Sequence, residues 1–187
     1  LQIATTLDPV LQRQARGAMR QVLKTPGDPD AAIVSIRPKT GQIVAMASTR
    51  YFRNDQFDLA SQGRRQPGST FKTIALATAI EQGIDPSATT YMSAPFLWQP
   101  DPSSPTWDVS TAGGEYAGPI SLENATLASD NTVYAQLAID IGPANIVNMA
   151  RRLGVRTSKL EAVPSITLGA DGVSPLEMAS VYATLAN

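Results

Sequence analysis

The chain has 187 residues, 43% of them hydrophobic, enough to bury the core of one large domain or two small ones. Its 15 basic and 16 acidic residues leave a net charge of -1, and no long basic run stands out, which argues against a nucleic-acid partner. Cysteine and histidine are both absent, so disulfides, thiol nucleophiles, the usual zinc ligands and any mechanism with an imidazole base are excluded.

No stretch approaches the ~18 consecutive apolar residues that span a bilayer. The opening "LQIATTLDPV" lacks a basic region followed by an apolar run, so any anchor or export signal is expected outside this chain. Asp8 and Pro9 then suit the start of an amphipathic helix, with Leu11, Ala15, Ala18, Met19, Val22 and Leu23 as its apolar stripe, running to about Lys24. Two β-branched runs, "AAIVSIRP" and "GQIVAMAST", flank "PKTG" and predict an antiparallel hairpin, the only strands expected. Residues 50–68 read as irregular chain.

A helix is expected from near Ser69 to Gly83, apolar on nearly every face and therefore central. Residues 84–120, rich in Pro, Ser and Gly, read as a long connection in which Trp98 and Trp107 pack the loop onto the body. Helices follow from Ser121, through "TVYAQLAIDIG" to Gly142, through "PANIVNMARRLG" to Gly154, and from Ser174. "SPLE" gives the last one an N-cap, a proline at the first position and Glu177 for a capping box.

Chemistry enters at Lys72, a cation in an apolar helix, three residues beyond Ser69. That spacing puts amine and hydroxyl on one face, one turn apart. Burial favours the neutral amine, and a neutral lysine can take the proton of a serine where no histidine exists. Backbone N–H groups at a helix start can also donate to a developing oxyanion. A lone S-x-x-K pattern is common, and Ser69 as a simple cap with Lys72 reaching solvent is the plain alternative. A second element lies further on, in "ASDNTVY", where Ser129, Asp130 and Asn131 fall between two helices. Ser129 offers a hydroxyl for proton relay and Asn131 an amide for a peptide carbonyl. Capping is the plain reading of this triplet, and of Asp130 in particular.

Together these motifs, with "TTLDPVLQRQA", "AAIVSIRPKTGQIVAMAS", "RRQPGSTFK", "SLENATLASDNTVYAQLA" and "VSPLEMASVYATLAN", resemble the transpeptidase domain of class A, bifunctional penicillin-binding proteins. The resemblance spans essentially all of residues 1–187. It implies the α+β fold of penicillin-binding proteins and serine β-lactamases, a helical subdomain with an antiparallel sheet, of which only the N-terminal strands are expected here. It also implies Ser69 as the acylated nucleophile, Lys72 as its base, Ser129 as a further catalytic residue and Asn131 as a substrate-binding one. The expected chemistry is D-Ala-D-Ala transpeptidation of peptidoglycan stem peptides, with acylation by β-lactams and no cofactor or metal. A glycosyltransferase domain and a membrane anchor upstream, and an extracytoplasmic location, are implied for the parent protein.

The chain departs from the family in one respect. Its only K-T-G, Lys39-Thr40-Gly41, precedes the nucleophile and sits in the expected hairpin turn. The functional K-T-G, which would give the second oxyanion donor, is expected beyond Asn187, so the domain reads as partial and low in activity by itself. The hairpin edge left unpaired would invite self-association. Glu161 lies where a β-lactamase carries its deacylating glutamate, but "EAVPS" lacks that family's asparagine, so an exposed loop carboxylate is expected. The competing functions are a D,D-carboxypeptidase or β-lactamase, and a penicillin-binding sensor or scaffold without turnover.

Overall fold

The computed structural model describes residues 2–50 and 55–187. The chain divides into two compact units, one of residues 1–65, 150–159 and 172–187, the other of residues 66–149 and 160–171.

The first unit is built on the predicted hairpin. Strand β1 (Ala32–Arg37) pairs antiparallel with β2 (Gln42–Ser48), with an irregularity between Ser35 and Ile36. Lys39-Thr40-Gly41 forms the turn, where the Thr40 and Gly41 N–H groups donate to Arg37 O at 3.2 and 2.9 Å. Helix α1 (Pro9–Val22) begins as expected, with the Asp8 carboxylate accepting from the Val10 and Leu11 N–H groups. It buries Ala15 and Met19 against Ala45 and Ala47 of β2. The outer edge of β2 is not left bare. Thr6 Oγ1 donates to Ile43 O, the Asp8 N–H to Val44 O, and the Gln12 amide both donates to Met46 O and accepts from the Met46 N–H. Backbone and side chains of residues 6–12 thus serve that edge in place of a neighbouring strand, which blunts the predicted sticky edge on the β2 side.

Helix α6 (Pro175–Leu185) packs on β1 and starts with the full capping box between Ser174 and Glu177. Glu177 does more than cap. Its Oε1 accepts from the Thr157 and Ser158 N–H groups and from Thr157 Oγ1, and its Oε2 from Ser158 Oγ, Ser174 Oγ and the Ser174 N–H. Burial pushes this carboxyl up, but the donors from Ser158, Thr157 and Ser174 outweigh it and hold the group far below the usual range.

The second unit carries the remaining elements. A 3-10 turn (Gly68–Phe71) leads into α2 (Lys72–Glu81), and α3 (Leu122–Leu127) and α4 (Asn131–Ile141) follow. A second 3-10 turn spans Pro164–Leu168. α5 (Pro143–Leu153) begins in this unit and continues past Met149 in the first. The core comprises Phe71, Ile74, Ala75 and Ala79 with Leu122, Val133, Tyr134, Leu137, Ile146 and Ile166. α4 is the most enclosed helix, whereas α2 exposes Ile80.

Residues 84–120 are not the plain connection expected from the sequence. They contain β3 (Thr90–Ser93), paired with β6 (Gly118–Ser121), and β4 (Phe96–Trp98), paired with β5 (Trp107–Val109). Strands of three or four residues are too short to show a period-two alternation, and the Gly118-Pro119 pair in β6 masks the signal further. Trp98 and Trp107 are direct cross-strand partners, both half-buried.

Candidate active site

Ser69 lies in the 3-10 turn, not at the first turn of an α-helix, and no side chain caps that turn. Gly68 before it has φ 59, a left-handed conformation open to glycine, and this bend leaves Ser69 exposed while Phe71 turns into the core. Lys72 is the first residue of α2, and its backbone N–H donates to Ser69 O. The S-x-x-K spacing therefore survives as one 3-10 turn.

Lys72 is 4% exposed, and its ammonium does not run to solvent. Nζ donates to Ser129 O at 2.7 Å, to Ser129 Oγ at 3.1 Å and to Asn131 Oδ1 at 2.7 Å, so its three N–H groups meet three oxygens. It also stands 5.3 Å from the centroid of the buried Tyr134 ring. The expected amine–hydroxyl contact with Ser69 is replaced here by contacts to the second motif. Desolvation lowers the Lys72 pKa to about 8, against which the Asp130 carboxylate raises it. A lysine with that value has a substantial neutral fraction near neutral pH, and the neutral form has a lone pair to accept a proton.

The second motif joins α3 to α4, as its position between helical runs implied. Ser129 has φ 53, the only positive φ at a non-glycine position among the described residues. Strain of this kind persists where surrounding contacts over-determine it, and here the Ser129 carbonyl and hydroxyl both receive Lys72. Asp130 caps α4 by accepting from the Thr132 and Val133 N–H groups through Oδ1, which also takes Thr132 Oγ1. Its Oδ2 accepts from Ser93 Oγ at 2.5 Å. Burial raises this carboxyl, but the hydrogen bonds from Ser93 and Thr132 prevail and hold it below its ordinary value. Asp130 is thus a helix cap, as its residue type suggested, and also a buried anion that acts on Lys72.

Two residues invisible to motif reading tie the cavity wall to this motif. Ser93, 2% exposed, accepts from the Ala117 N–H while donating to Asp130, and Ser110 O accepts from Asn131 Nδ2. Serines in loops and short strands carry no pattern that would have singled them out. A cavity of about 470 Å³ is lined by Ser69, Ser129, Asp130 and Asn131 together with Glu115, Tyr116 and their neighbours in the 111–117 segment. Glu161 lies on an exposed segment outside that lining, its N–H bonded to Asp171 Oδ2. Among the described residues no group of His, Cys, Asp and Glu could hold a metal ion, and no helix is long and apolar enough to cross a membrane.

The four residues marked by the motifs therefore line or adjoin one cavity in the second unit. The chain is 34% identical over 188 residues to penicillin-binding protein 2D of Bacillus subtilis, which spans all of this chain and 27% of the relative. It is also 34% identical over 156 residues to penicillin-binding protein 1A of Neisseria gonorrhoeae, covering 83% of this chain and 20% of the relative. Its fold matches PonA1 of Mycobacterium tuberculosis with a TM-score of 0.86 at 28% identity, over 99% of this chain and 49% of that one. It matches the imipenem acyl-enzyme complex of penicillin-binding protein A from M. tuberculosis with a TM-score of 0.81 at 26% identity, over 98% and 51%. The chain thus spans about a quarter of the length of these curated relatives and half of these solved structures. The sequence profile of the penicillin binding protein transpeptidase domain matches residues 31–187, and the chain, with its α+β fold of small antiparallel sheets and helices, belongs to that family.

Proposed function

We propose that the chain carries the nucleophile half of a peptidoglycan D,D-transpeptidase domain, with Ser69 as nucleophile, Lys72 as base, Ser129 as proton relay and Asn131 as substrate-amide ligand. The observation that carries this reading is the burial of Lys72 one turn from Ser69, with Nζ on Ser129 Oγ and Asn131 Oδ1. Neutral Lys72 accepts the Ser69 proton as Oγ attacks the carbonyl carbon of the penultimate D-Ala. The Ser69 N–H supports the resulting oxyanion. The proton then passes from Lys72 through Ser129 to the leaving D-Ala amine, the C–N bond breaks, and an acyl ester on Ser69 awaits an amine acceptor.

β-Lactams would acylate the same serine, a reading supported by the imipenem and penicillin G acyl-enzyme complexes of penicillin-binding protein A from M. tuberculosis, a structural relative. The second oxyanion donor and the K-T-G strand would be supplied by residues outside 1–187. A parent protein of the class A type would add a glycosyltransferase domain and a membrane anchor, placing this site outside the cytoplasm.

The test is intact-mass spectrometry after incubation with a labelled penicillin, on this chain and on a version extended past Asn187. A single adduct on Ser69 in the extended version, absent from Ser69→Ala, is the expected result. A D-Ala-D-Ala thioester with an added D-amino acid then separates transfer from hydrolysis. Absence of any adduct in both versions would refute the acyl-transfer reading.

A further inference from the structure

Gly169 follows the 3-10 turn Pro164–Leu168 in the left-handed region, with φ 70. It lies directly against the backbone of Gly68, the residue before Ser69. A Cβ at position 169 would stand 2.4 Å from Gly68 O, 2.5 Å from Gly68 N and 2.9 Å from Gly68 C. All three neighbours are backbone atoms, so no side chain could swing aside. Gly68 differs, since a Cβ there would meet open space and only its φ of 59 calls for glycine. A second tie joins the same two segments, because Gln66 Nε2 donates to Ala170 O at 2.9 Å. Within the 3-10 turn Thr167 is fully buried and its hydroxyl finds no hydrogen-bond partner among the described residues.

We propose that Gly169 is a positioning residue for acylation, the backstop against which Gly68 is held so that the Ser69 hydroxyl and N–H face the cavity. This rests on the reading of Ser69 as the nucleophile. A methyl group at 169 reaches ordinary contact, 3.4 Å, only if the two backbones separate by about 1 Å, and Ser69 is the covalent neighbour of Gly68. Displacing a reacting group by about 1 Å costs on the order of 100-fold in rate.

The test uses the longest form of the protein that contains this chain, with benzylpenicillin as probe. The maximal acylation rate and the half-saturating concentration are measured separately, with Tm. Gly169→Ala is expected to lower the maximal rate about 100-fold while the half-saturating concentration moves less than about threefold. Val181→Ala, which truncates a fully buried side chain of α6, serves as a control that lowers Tm and leaves the acylation rate unchanged. A Gly169→Ala protein that acylates at the parent rate, or that slows no more than Val181→Ala, would overturn the proposal. Gln66 is exposed, so Gln66→Ala removes the second tie without threatening the fold. Its expected loss is about threefold to tenfold, and an unchanged rate in a case where Gly169→Ala does not fold would also overturn the proposal. No adduct on the unsubstituted protein would overturn the acyl-transfer reading and this inference with it, whereas normal acylation of both proteins removes the inference alone.

Discussion

If Lys72 is the base, the pH dependence of acylation follows from its burial. The drop from an ordinary value of 10.5 to about 8 amounts to about 2.5 units, or roughly 3 kcal/mol against the charged form. At pH 7 roughly a tenth of the molecules then hold a neutral amine, against about one in 3,000 for an unperturbed lysine, a gain of about 300-fold in active base. The acylation rate, followed by stopped-flow with a chromogenic cephalosporin, is expected to rise about tenfold per unit below pH 7 and to level off above pH 8. Lys72→Met keeps an apolar body of similar length, removes the base, and should cost about 100-fold to 10,000-fold in that rate. Stability gives an independent reading. Between pH 8 and 10.5 the unfolded lysine holds a proton that the folded one has lost, so stability of the parent should rise with pH across that window, by up to about 3 kcal/mol. Lys72→Met should lack that rise. A flat acylation profile from pH 6 to 9, or one still climbing at pH 10, would refute the assignment of Lys72 as a base tuned by burial.

Two further perturbations test the polar networks. Glu177→Gln keeps the shape but cannot accept from the Thr157 and Ser158 N–H groups on one side and the Ser174 N–H on the other. Urea unfolding at pH 7 should show a loss of about 3 kcal/mol. Because the native carboxyl is held well below 4.5, its contribution is present above that pH and is lost as the pH falls. The variant's stability should therefore fall less steeply in acid, and a cost under about 0.5 kcal/mol at pH 7 would contradict the six-bond description. Ser93→Ala removes the donor to Asp130 Oδ2 and the acceptor of the Ala117 N–H. A loss of about 1.5 to 3 kcal/mol is expected by the same measurement, since the bond ends on a buried carboxylate, and an unchanged midpoint would count against it.

The elements legible in the sequence were those whose signals are local. Asp8-Pro9 and Ser174-Pro175 marked helix starts because caps act within three residues, and the hairpin showed itself through two β-branched runs around a turn. Ser69, Lys72, Ser129 and Asn131 stood out by motif, and the absence of histidine removed the imidazole alternative to a lysine base. What local chemistry could not reveal was the partner of each group. Lys72 meets Ser129 and Asn131, 57 and 59 residues away, and not the hydroxyl one turn back. The short strands of residues 90–121 escaped because three or four residues are too few to display a period. Ser93, Ser110 and Gly169 carry no pattern at all, and their importance exists only once packing brings them against Asp130, Asn131 and Gly68. Residue type and spacing determined which groups could do the chemistry, because nucleophilicity, basicity and helix period are properties of neighbours in the chain. The tertiary structure alone decided how Lys72 is desolvated, which oxygens receive its protons and what holds the Ser69 turn in place, because those depend on contacts between segments far apart in sequence.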